Sequence, residues 1–413
     1  MTFTYNGRTI ASLEDLKLQG RRVLLRVDMN SPLGKEGLID DTRLRMHAPT
    51  IRMLIEEGAG VVVITHQGRP LETDFTRLKT HAERLSQILG IEVEYVPDII
   101  GPYAIRRIKD LQPGRILMLD NTRLLSEDYI QASPEAHASS ILVTELSPHF
   151  NYYINDAFAV SHRSQASVVG FPLKLPSAGG PLMEREVGAL SRVLHGGERP
   201  KTLVLGGAKL GDAIKLVKSL VETGSVDEIL TTGLVSLLFH LAMGTRLPPA
   251  VEALIREKAG GEAVMEARRL AAAGAPIRVP LDYMVEIDGG VEIQPAKTLR
   301  GSPKDIGPST IEYYRYKLAR SKVTVLRGPA GVIEDPRFRR GTEELLRAAL
   351  ESGAYVILGG GHFNAILAKM PRSLVERVGH ISSGGGAMIY FLTRKPLPGL
   401  EALAESYKRF WGG

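Results

Sequence analysis

Short apolar runs alternate along the chain with longer segments whose apolar residues recur at helical spacing. Residues 23–27 and 61–64 are typical of buried strands, and a helical period follows each of them. In the second half, residues 203–205 enter a Gly-Gly turn, after which Ile214, Val217 and Leu220 lie one helical turn apart. This alternation predicts the α/β class, with mainly parallel, doubly wound sheets flanked by helices.

A proline- and glycine-rich stretch at residues 175–181 interrupts the alternation near the middle of the chain. A chain of 413 residues, 44% of them hydrophobic, can bury the cores of about two domains. We therefore predict two lobes, residues 1–180 and 181–395, each built on its own sheet. A helical segment that starts near residue 181 is expected to join them as a hinge.

Polar side chains follow four predicted strands of the first half. Each alone is typical of a surface charge or a helix cap, but the carboxyl ends of parallel strands meet at one edge of a sheet. Arginine forks suit phosphate and carboxylate, whereas Asp and Asn suit hydroxyls. The set favours a pocket for a multiply anionic ligand and consists of Asp28, Asn30, His66, Arg69, Arg123 and Arg163.

Glycine turns follow the predicted strands of the second half. Gly206 and Gly207 precede Lys209, and triple glycines occur at 359–361 and 384–386. Such turns let phosphates approach backbone amides at helix starts. Neither the P-loop pattern nor a Gly-x-Gly-x-x-Gly after the first strand occurs, which argues against both common nucleotide folds. A glycine-rich lobe for a nucleotide and an arginine-rich lobe for an acidic metabolite favour phosphoryl transfer, which needs positioning and charge neutralisation.

Composition narrows the function classes further. The chain has no cysteine, so disulfides and thiol chemistry are excluded. The net charge of +6 comes from scattered basic residues without a continuous block, so we expect small anionic ligands and no nucleic acid. No apolar run approaches the roughly 20 residues that span a bilayer, and the N-terminus lacks a signal-peptide pattern. We expect a cytoplasmic protein without membrane contact.

Nine short motifs occur in an order that resembles phosphoglycerate kinases, especially the archaeal members. Together they span nearly the whole chain. They are Arg26-Val-Asp-Met-Asn-Ser-Pro, Thr65-His-Gln-Gly-Arg-Pro, Asn155-Asp-Ala-Phe, Ser161-His-Arg, Gly206-Gly-Ala-Lys, Asp305-Ile-Gly-Pro-Ser-Thr, Gly328-Pro-Ala-Gly-Val, Gly359-Gly-Gly-His and Ser383-Gly-Gly-Gly-Ala.

The resemblance implies reversible phosphoryl transfer between 1,3-bisphosphoglycerate and ADP, giving 3-phosphoglycerate and ATP. The transfer would be in line, without a covalent enzyme intermediate, and part of glycolysis and gluconeogenesis. It also implies that the segment 396–413 returns to the first lobe, which binds phosphoglycerate, while the second lobe binds nucleotide. Arg43 and Lys209 would be catalytic and neutralise charge on the transferred group.

The remaining implied roles fall into two sets. The substrate-binding set is Asp28, Asn30, Arg43, His66, Gln67, Gly68, Arg69, Arg123 and Arg163. The nucleotide-binding set is Gly207, Lys209, Glu334, Gly359, Gly360, Gly361, His362, Phe363, Ser383, Gly384, Gly385 and Gly386. Within it, Glu334 would accept hydrogen bonds from the ribose hydroxyls.

The chain departs from the resemblance at several nucleotide-binding positions. Ala213 replaces a second lysine, Phe363 replaces a hydroxyl residue, and His362 replaces an aspartate that ligates Mg²⁺ in many members. Because Mg²⁺ prefers oxygen ligands, we expect phosphates and water to hold it, with no protein metal site. Arg327 replaces an asparagine and is either a substitute for the missing lysine or a solvated side chain.

Three alternative functions remain to be distinguished. A kinase or ligase of this architecture could act on another phosphorylated acid, a catalytically silent protein could bind nucleic acid, and a dinucleotide-dependent oxidoreductase is disfavoured by the missing fingerprint. We expect the small-molecule substrates to be the only partners. A monomer is expected, with a homodimer as the alternative.

Overall fold

The computed structural model describes residues 2–34 and 37–412 and has two compact units. The first unit comprises Met1–Gly188 and Pro396–Gly413, and the second comprises Ala189–Lys395. The division lies inside the helix Pro181–His195, whereas the sequence places it at the start of that helix.

The first unit opens with short strands, and strands and helices alternate from the first α-helix onward. Its strands are β1 (Phe3–Tyr5), β2 (Arg8–Ile10), β3 (Arg22–Arg26), β4 (Leu33–Gly34), β5 (Gly37–Leu38), β6 (Gly60–Ile64), β7 (Val93–Val96), β8 (Ile116–Leu119), β9 (Tyr152–Asn155) and β10 (Ser177–Gly179). Its helices are α1 (Thr42–Glu56), α2 (Lys79–Leu89), α3 (Pro102–Asp110), α4 (Pro134–Ala138), α5 (Ile141–Leu146) and α6 (Pro181–His195), which continues into the second unit.

Six of these strands form one parallel sheet in the order β10-β9-β3-β6-β8-β7. All five residues of β6 are buried, because helices that cover both faces of a parallel sheet leave no solvated side. In the centre, Arg26 of β3 pairs with Ile64 of β6 and with Asn155 of β9. The residues that follow these three strands therefore meet at one edge.

The second unit repeats this arrangement. Its strands are β11 (Lys201–Leu205), β12 (Glu228–Thr231), β13 (Ile277–Arg278), β14 (Asp282–Ile287), β15 (Gly290–Pro295), β16 (Ser302–Ile306), β17 (Val323–Arg327), β18 (Tyr355–Gly359) and β19 (Val378–Ser382). Its helices are α7 (Leu210–Glu222), α8 (Gly233–Ala242), α9 (Pro249–Ala272), α10 (Pro308–Leu318), α11 (Arg340–Glu351), α12 (His362–Leu367), α13 (Arg372–Val375) and α14 (Gly385–Leu392). The chain ends with α15 (Pro398–Phe410).

The second sheet is also parallel and has the order β13-β12-β11-β17-β18-β19. Leu205 pairs with Arg327, and Arg327 pairs with Gly359, so the glycine turns that follow β11, β17 and β18 lie side by side. The predicted class of two mainly parallel α/β sheets is confirmed.

Two features of the second unit differ from the predicted alternation. The strands β14, β15 and β16 form a separate antiparallel sheet. The apolar spacing of the sequence predicts a helix over residues 263–273, whereas α9 begins at Pro249 and passes a kink at Gly260, whose φ of 70° is not helical. Since glycine adopts positive φ readily, two helices join there without strain.

The last helix belongs to the first unit. The Leu397 amide donates to the hydroxyl of Tyr5 at 3.0 Å, and the Ser177 amide donates to Ser406 Oγ at 3.1 Å. These buried contacts tie α15 to β1 and β10. Among the described residues, no helix is long and apolar enough to cross a membrane.

Candidate active site

The segment after β3 leaves the sheet, and side chains bind its backbone amides. Val27 still donates to the Ile64 carbonyl, but the next amides do not continue the ladder. Asp28 N donates to His47 Nε2 at 3.1 Å, and Met29 N donates to Thr65 Oγ1 at 3.0 Å. Because each buried amide has a fixed acceptor, this loop has one defined conformation.

Asp28 lies at the centre of this edge and is almost fully buried. Its carboxylate accepts a hydrogen bond from Arg43 and another, at 3.2 Å, from the amide of Asn30. Burial alone would raise the pKa of Asp28, but the charges of Arg43 and Arg26 hold it below its usual value. Asp28 is therefore an acceptor-only carboxylate at neutral pH.

Arg26 is fully buried and sets the protonation of His66. Its Nη2 lies 3.0 Å from His66 Nδ1, and its Nε donates to Ser167 Oγ at 2.9 Å. A guanidinium can only donate, so Nδ1 accepts and the proton of the neutral ring is on Nε2. Burial, only partly opposed by Asp28, lowers the pKa of His66 well below its usual value. Nε2–H is thus available as a neutral donor.

Arg123 has two buried donors without an acceptor. Its Nη1 donates to the Gly68 carbonyl, whereas Nε and Nη2 are buried and have no hydrogen-bond partner in the described chain. Burial, together with Arg163 and Arg26, lowers the pKa of Arg123 to about 10. Burial also lowers the pKa of Arg163, although the charge of Asp28 opposes this. Unpaired buried donors beside other cations define an anion site.

The other implied substrate residues differ in what they can offer. Asn30 Oδ1 accepts the Gly68 amide at 2.8 Å, so Gly68 holds the loop together. The side-chain amide of Gln67 makes four hydrogen bonds. Its NH₂ group donates to the carbonyls of Ser31 and Asp74, and its oxygen accepts from the Ser31 amide and from His81 Nε2. Gln67 therefore supports the edge and has no group left for a ligand. Arg69 is half-exposed, and its Nη1 lies 3.7 Å from Glu72 Oε1.

In the second unit, backbone segments approach one another closely where β11 and β17 end. Gly206 N donates to the Arg327 carbonyl at 2.8 Å, and Gly207 N donates to the Pro329 carbonyl at 3.0 Å. A Cβ on Gly206 would lie 2.2 Å from that Pro329 oxygen, which no side chain can tolerate. The two glycines thus permit close packing of the backbone. Because their own amides already donate to carbonyls, these two amides are not free to donate to a phosphate.

A cavity of about 440 Å³ lies beside these turns. Its wall combines apolar side chains with a few polar ones, as in many ligand pockets. Its lining includes Gly207, Lys209, Gly233, Leu237, Leu254, Tyr283, Pro303, Gly331, Glu334 and His362. Lys209 and Glu334 are both exposed at this wall, so the cavity offers one cation and one carboxylate acceptor.

The other implied nucleotide-binding residues follow β18 and β19, and they differ in whether they are accessible to a ligand. Gly385 and Gly386 begin α14, whose first helical bond runs from Met388 N to Gly384 O, so the amides before it have no partner within the helix. Phe363, in contrast, is 1% exposed and packs in the hydrophobic core. Its side chain cannot wrap a nucleotide, because α12 turns it inward.

The segments that carry Gly359, Gly360, Gly361, Ser383 and Gly384 lie at this same strand edge, where Gly359 pairs with Ser382. Arg327 is half-buried, and its side chain forms no hydrogen bond or ion pair in the described ranges 2–34 and 37–412. Burial lowers the pKa of Arg327, with Asp212 opposing the shift. Within those ranges no three His, Asp or Glu side chains converge as a metal site.

Three residues of the first edge were missed by sequence reasoning. Arg26 was quoted within a motif, yet its place in an apolar strand gave no reason to assign it a role. His47 and Asp156 are buried and hydrogen-bonded to each other at 3.0 Å. Asp156 also lies within one of the nine motifs, and the only further signal, polar residues among apolar neighbours, is common in ordinary cores.

An α/β protein with one arginine-lined and one glycine-lined sheet edge has the features typical of proteins that bind phosphorylated ligands. Residues 13–395 match the family model described as phosphoglycerate kinase. The chain is 52% identical over 412 residues to the phosphoglycerate kinase of Aeropyrum pernix, covering 99% of each chain. It is 48% identical to that of Saccharolobus solfataricus, covering 96% of this chain and 98% of the relative.

Solved structures agree. The crystal structure of phosphoglycerate kinase from Pyrococcus horikoshii superposes with a TM-score of 0.90 at 39% identity, covering 97% of this chain and 100% of that one. The enzyme from Coxiella burnetii gives a TM-score of 0.78 at 29% identity, covering 96% and 99%. The chain belongs to the phosphoglycerate kinase family, and it is a glycolytic kinase that uses ATP and ADP as substrates.

Proposed function

We propose that the first unit binds 3-phosphoglycerate at its arginine-lined edge and that the second binds MgATP in its cavity. A carboxylate oxygen of the acid attacks the γ-phosphorus in line, and the bond to the β-phosphate oxygen breaks, so ADP leaves with the electron pair. Reversal makes ATP from 1,3-bisphosphoglycerate. The acceptor is thus a carboxyl group, and no covalent enzyme intermediate forms. We further propose a cytoplasmic, monomeric enzyme.

The unpaired donors of Arg123 carry this proposal. Nε and Nη2 of Arg123 are buried and find no acceptor among the residues that the structure describes, and Arg163 and the Nε2–H of His66 contribute to the same positive region. Leaving buried donors unpaired costs free energy, which an oxyanion recovers on binding. We assign the 3-phosphate to Arg123, Arg163, His66 and Arg69, and the glycerate hydroxyl and carboxylate region to Asp28 and Asn30.

Arg43 and Lys209 are proposed to neutralise the transferred group. Arg43 is 36% exposed and held by Asp28, so it can exchange that partner for the acyl phosphate. Lys209 lies at the start of α7 and lines the cavity. Glu334 would accept the ribose hydroxyls, the glycines at 359–361 and the start of α14 would contact phosphates, and Arg327 would supply a second cation. Fixed charges of this kind lower the barrier without covalent chemistry.

Mg²⁺ is proposed to bind only as part of the nucleotide substrate. The described residues offer no cluster of carboxylates for it, and His362 at the cavity wall is a nitrogen ligand that Mg²⁺ disfavours. Phosphate oxygens and water would hold the ion, as the oxygen preference of Mg²⁺ requires.

A coupled assay tests the activity. With 3-phosphoglycerate and MgATP, purified protein should turn over at about 1–10³ s⁻¹, as is typical of enzymes. Parallel reactions with other phosphorylated acids measure selectivity. Absence of turnover with 3-phosphoglycerate, or faster turnover with another acid, would overturn the assignment.

A further inference from the structure

His47 and Asp156 form a buried pair behind the substrate edge of the first unit. His47 is 2% exposed and lies on α1, while Asp156 is 0% exposed and follows β9. His47 Nδ1 lies 3.0 Å from Asp156 Oδ2, and His47 Nε2 lies 3.1 Å from the amide nitrogen of Asp28. The imidazole therefore bridges a buried carboxylate and the backbone of a proposed substrate residue.

The Asp28 amide fixes the tautomer of His47. A backbone N–H can only donate, so Nε2 must accept, and the proton of the neutral ring is on Nδ1. Nδ1–H then donates to Asp156. In many proteins a carboxylate bound to one ring nitrogen of a histidine fixes its tautomer, and the other ring nitrogen makes the functional contact.

Asp156 is itself held from several sides. Its Oδ2 also accepts from Thr50 Oγ1 at 2.7 Å, and its Oδ1 accepts the amides of Leu182 and Met183 at 2.8 and 3.2 Å. These last two amides lie in the first turn of α6. The carboxylate cannot rotate away without losing several buried bonds, so its orientation is fixed.

We infer that His47 is a positioning residue for phosphoglycerate: held as the Nδ1–H tautomer by Asp156, it accepts the Asp28 amide and keeps Asp28 in place for the glycerate. This inference rests on the proposed function of Asp28. No other acceptor serves the Asp28 amide in the described chain, whereas the next amides bind Thr65, Asp28 and Gln67.

Two substitutions at His47 separate its contact with Asp156 from its contact with the Asp28 amide. His47→Asn places an amide nitrogen near the Nδ1 position, so it keeps the bond to Asp156 and leaves the Asp28 amide unpaired. His47→Gln places its oxygen near the Nε2 position, so it keeps an acceptor for Asp28 and gives up Asp156. We expect His47→Asn to raise the KM for 3-phosphoglycerate about tenfold, the effect of one unpaired buried donor. His47→Gln should recover most of that affinity.

Asp156→Asn tests the tautomer directly. Its oxygen can still accept from Leu182 and Met183, so its NH₂ group faces His47 and forces the ring proton onto Nε2, against the Asp28 amide. The KM for 3-phosphoglycerate should again rise about tenfold, while the KM for ATP stays the same. Imidazole ¹⁵N spectra should show the proton on Nδ1 in the wild type and on Nε2 in this variant.

Thr50→Val is the matched control, because it removes one bond to Asp156 but leaves the His47–Asp28 bond. It should keep both KM values. If His47 were only a satisfied core residue, all four variants would lower melting temperature without a selective change in KM. That result, or equal KM values for the Asn and Gln variants at His47, would overturn the inference. Absence of wild-type turnover would instead contradict the proposed function.

Discussion

The two sheet edges, which we propose to bind anions, are built by different means. In the first unit, side chains supply the donors, and Nε and Nη2 of Arg123 are buried with no hydrogen-bond partner in the part of the chain that the structure describes. In the second unit, backbone turns approach so closely that Gly206 admits no Cβ, and a cavity remains beside them. The comparison teaches that one strand edge can be specialised either by charged side chains or by the absence of side chains.

Lys209→Met gives the largest expected effect, because Lys209 is the exposed cation of the glycine-lined edge. Loss of one stabiliser of developing charge should lower kcat about 10²- to 10³-fold, with little change in the KM for 3-phosphoglycerate. Lys215→Met on the same helix, whose side chain is solvent-exposed, is the control. Steady-state kinetics measure both. A wild-type kcat for the Lys209→Met variant would contradict a catalytic role for Lys209.

Arg123→Met tests the side-chain edge. Loss of a charged, buried fork should raise the KM for 3-phosphoglycerate about 100-fold and leave MgATP affinity unchanged. Because the native arginine is buried beside other cations, which lowers its pKa to about 10, melting temperature should hold or rise. The exposed Arg115, paired with Glu92, provides the control substitution. A falling melting temperature with unchanged KM would make Arg123 a structural residue.

Gly206→Ala tests the backbone edge. The added methyl would lie 2.2 Å from the Pro329 oxygen and 2.4 Å from Thr232 Oγ1, so the turn must move. We expect MgADP affinity to fall about tenfold, in the range that misplaced binding groups cost, and 3-phosphoglycerate affinity to persist. Gly211→Ala, where a Cβ meets nothing within 4 Å, is the control. Titration calorimetry with each ligand measures the difference. Equal affinities in both variants would contradict a backbone-shaped site.

Acid titration gives the smallest expected effect. Burial lowers the pKa of His81 to about 4, so below pH 6.5 the unfolded chain binds a proton that the folded chain excludes. Stability is therefore lost as the pH falls from 6.5 towards 4, by up to ~2 kcal/mol at pH 5. His81→Gln keeps a donor for Gln67 and should reduce this loss. Urea unfolding at pH 7 and 5 measures it, and an equal loss in both proteins would refute the assignment.

Much of the architecture follows from sequence periodicity. The predicted strand at 61–64 is β6, and β3 lies one residue before its predicted position. Helix α9 was underestimated because Gly260 and Gly261 break the apolar period where two helices join. The antiparallel strands β14–β16 were not predicted, and in β15 the apolar Val291 and Ile293 are exposed whereas Gln294 is buried, the reverse of the usual pattern.

Side-chain direction could not be predicted. Phe363 follows a glycine turn, as a ligand residue would, yet the short helix α12 points it into the core. Gln67 lies between His66 and Gly68, but its side-chain amide is already hydrogen-bonded to the backbone of the neighbouring loop. His47 acts through two contacts that are distant in sequence, and only tertiary structure shows them.

The most direct test is a crystal structure of the protein with 3-phosphoglycerate and ADP bound. The account predicts oxygens of the 3-phosphate within about 2.7–3.2 Å of Arg123 Nε and Nη2, and ADP in the cavity between Lys209 and Glu334. Arg123 still without an acceptor beside bound phosphoglycerate would contradict it.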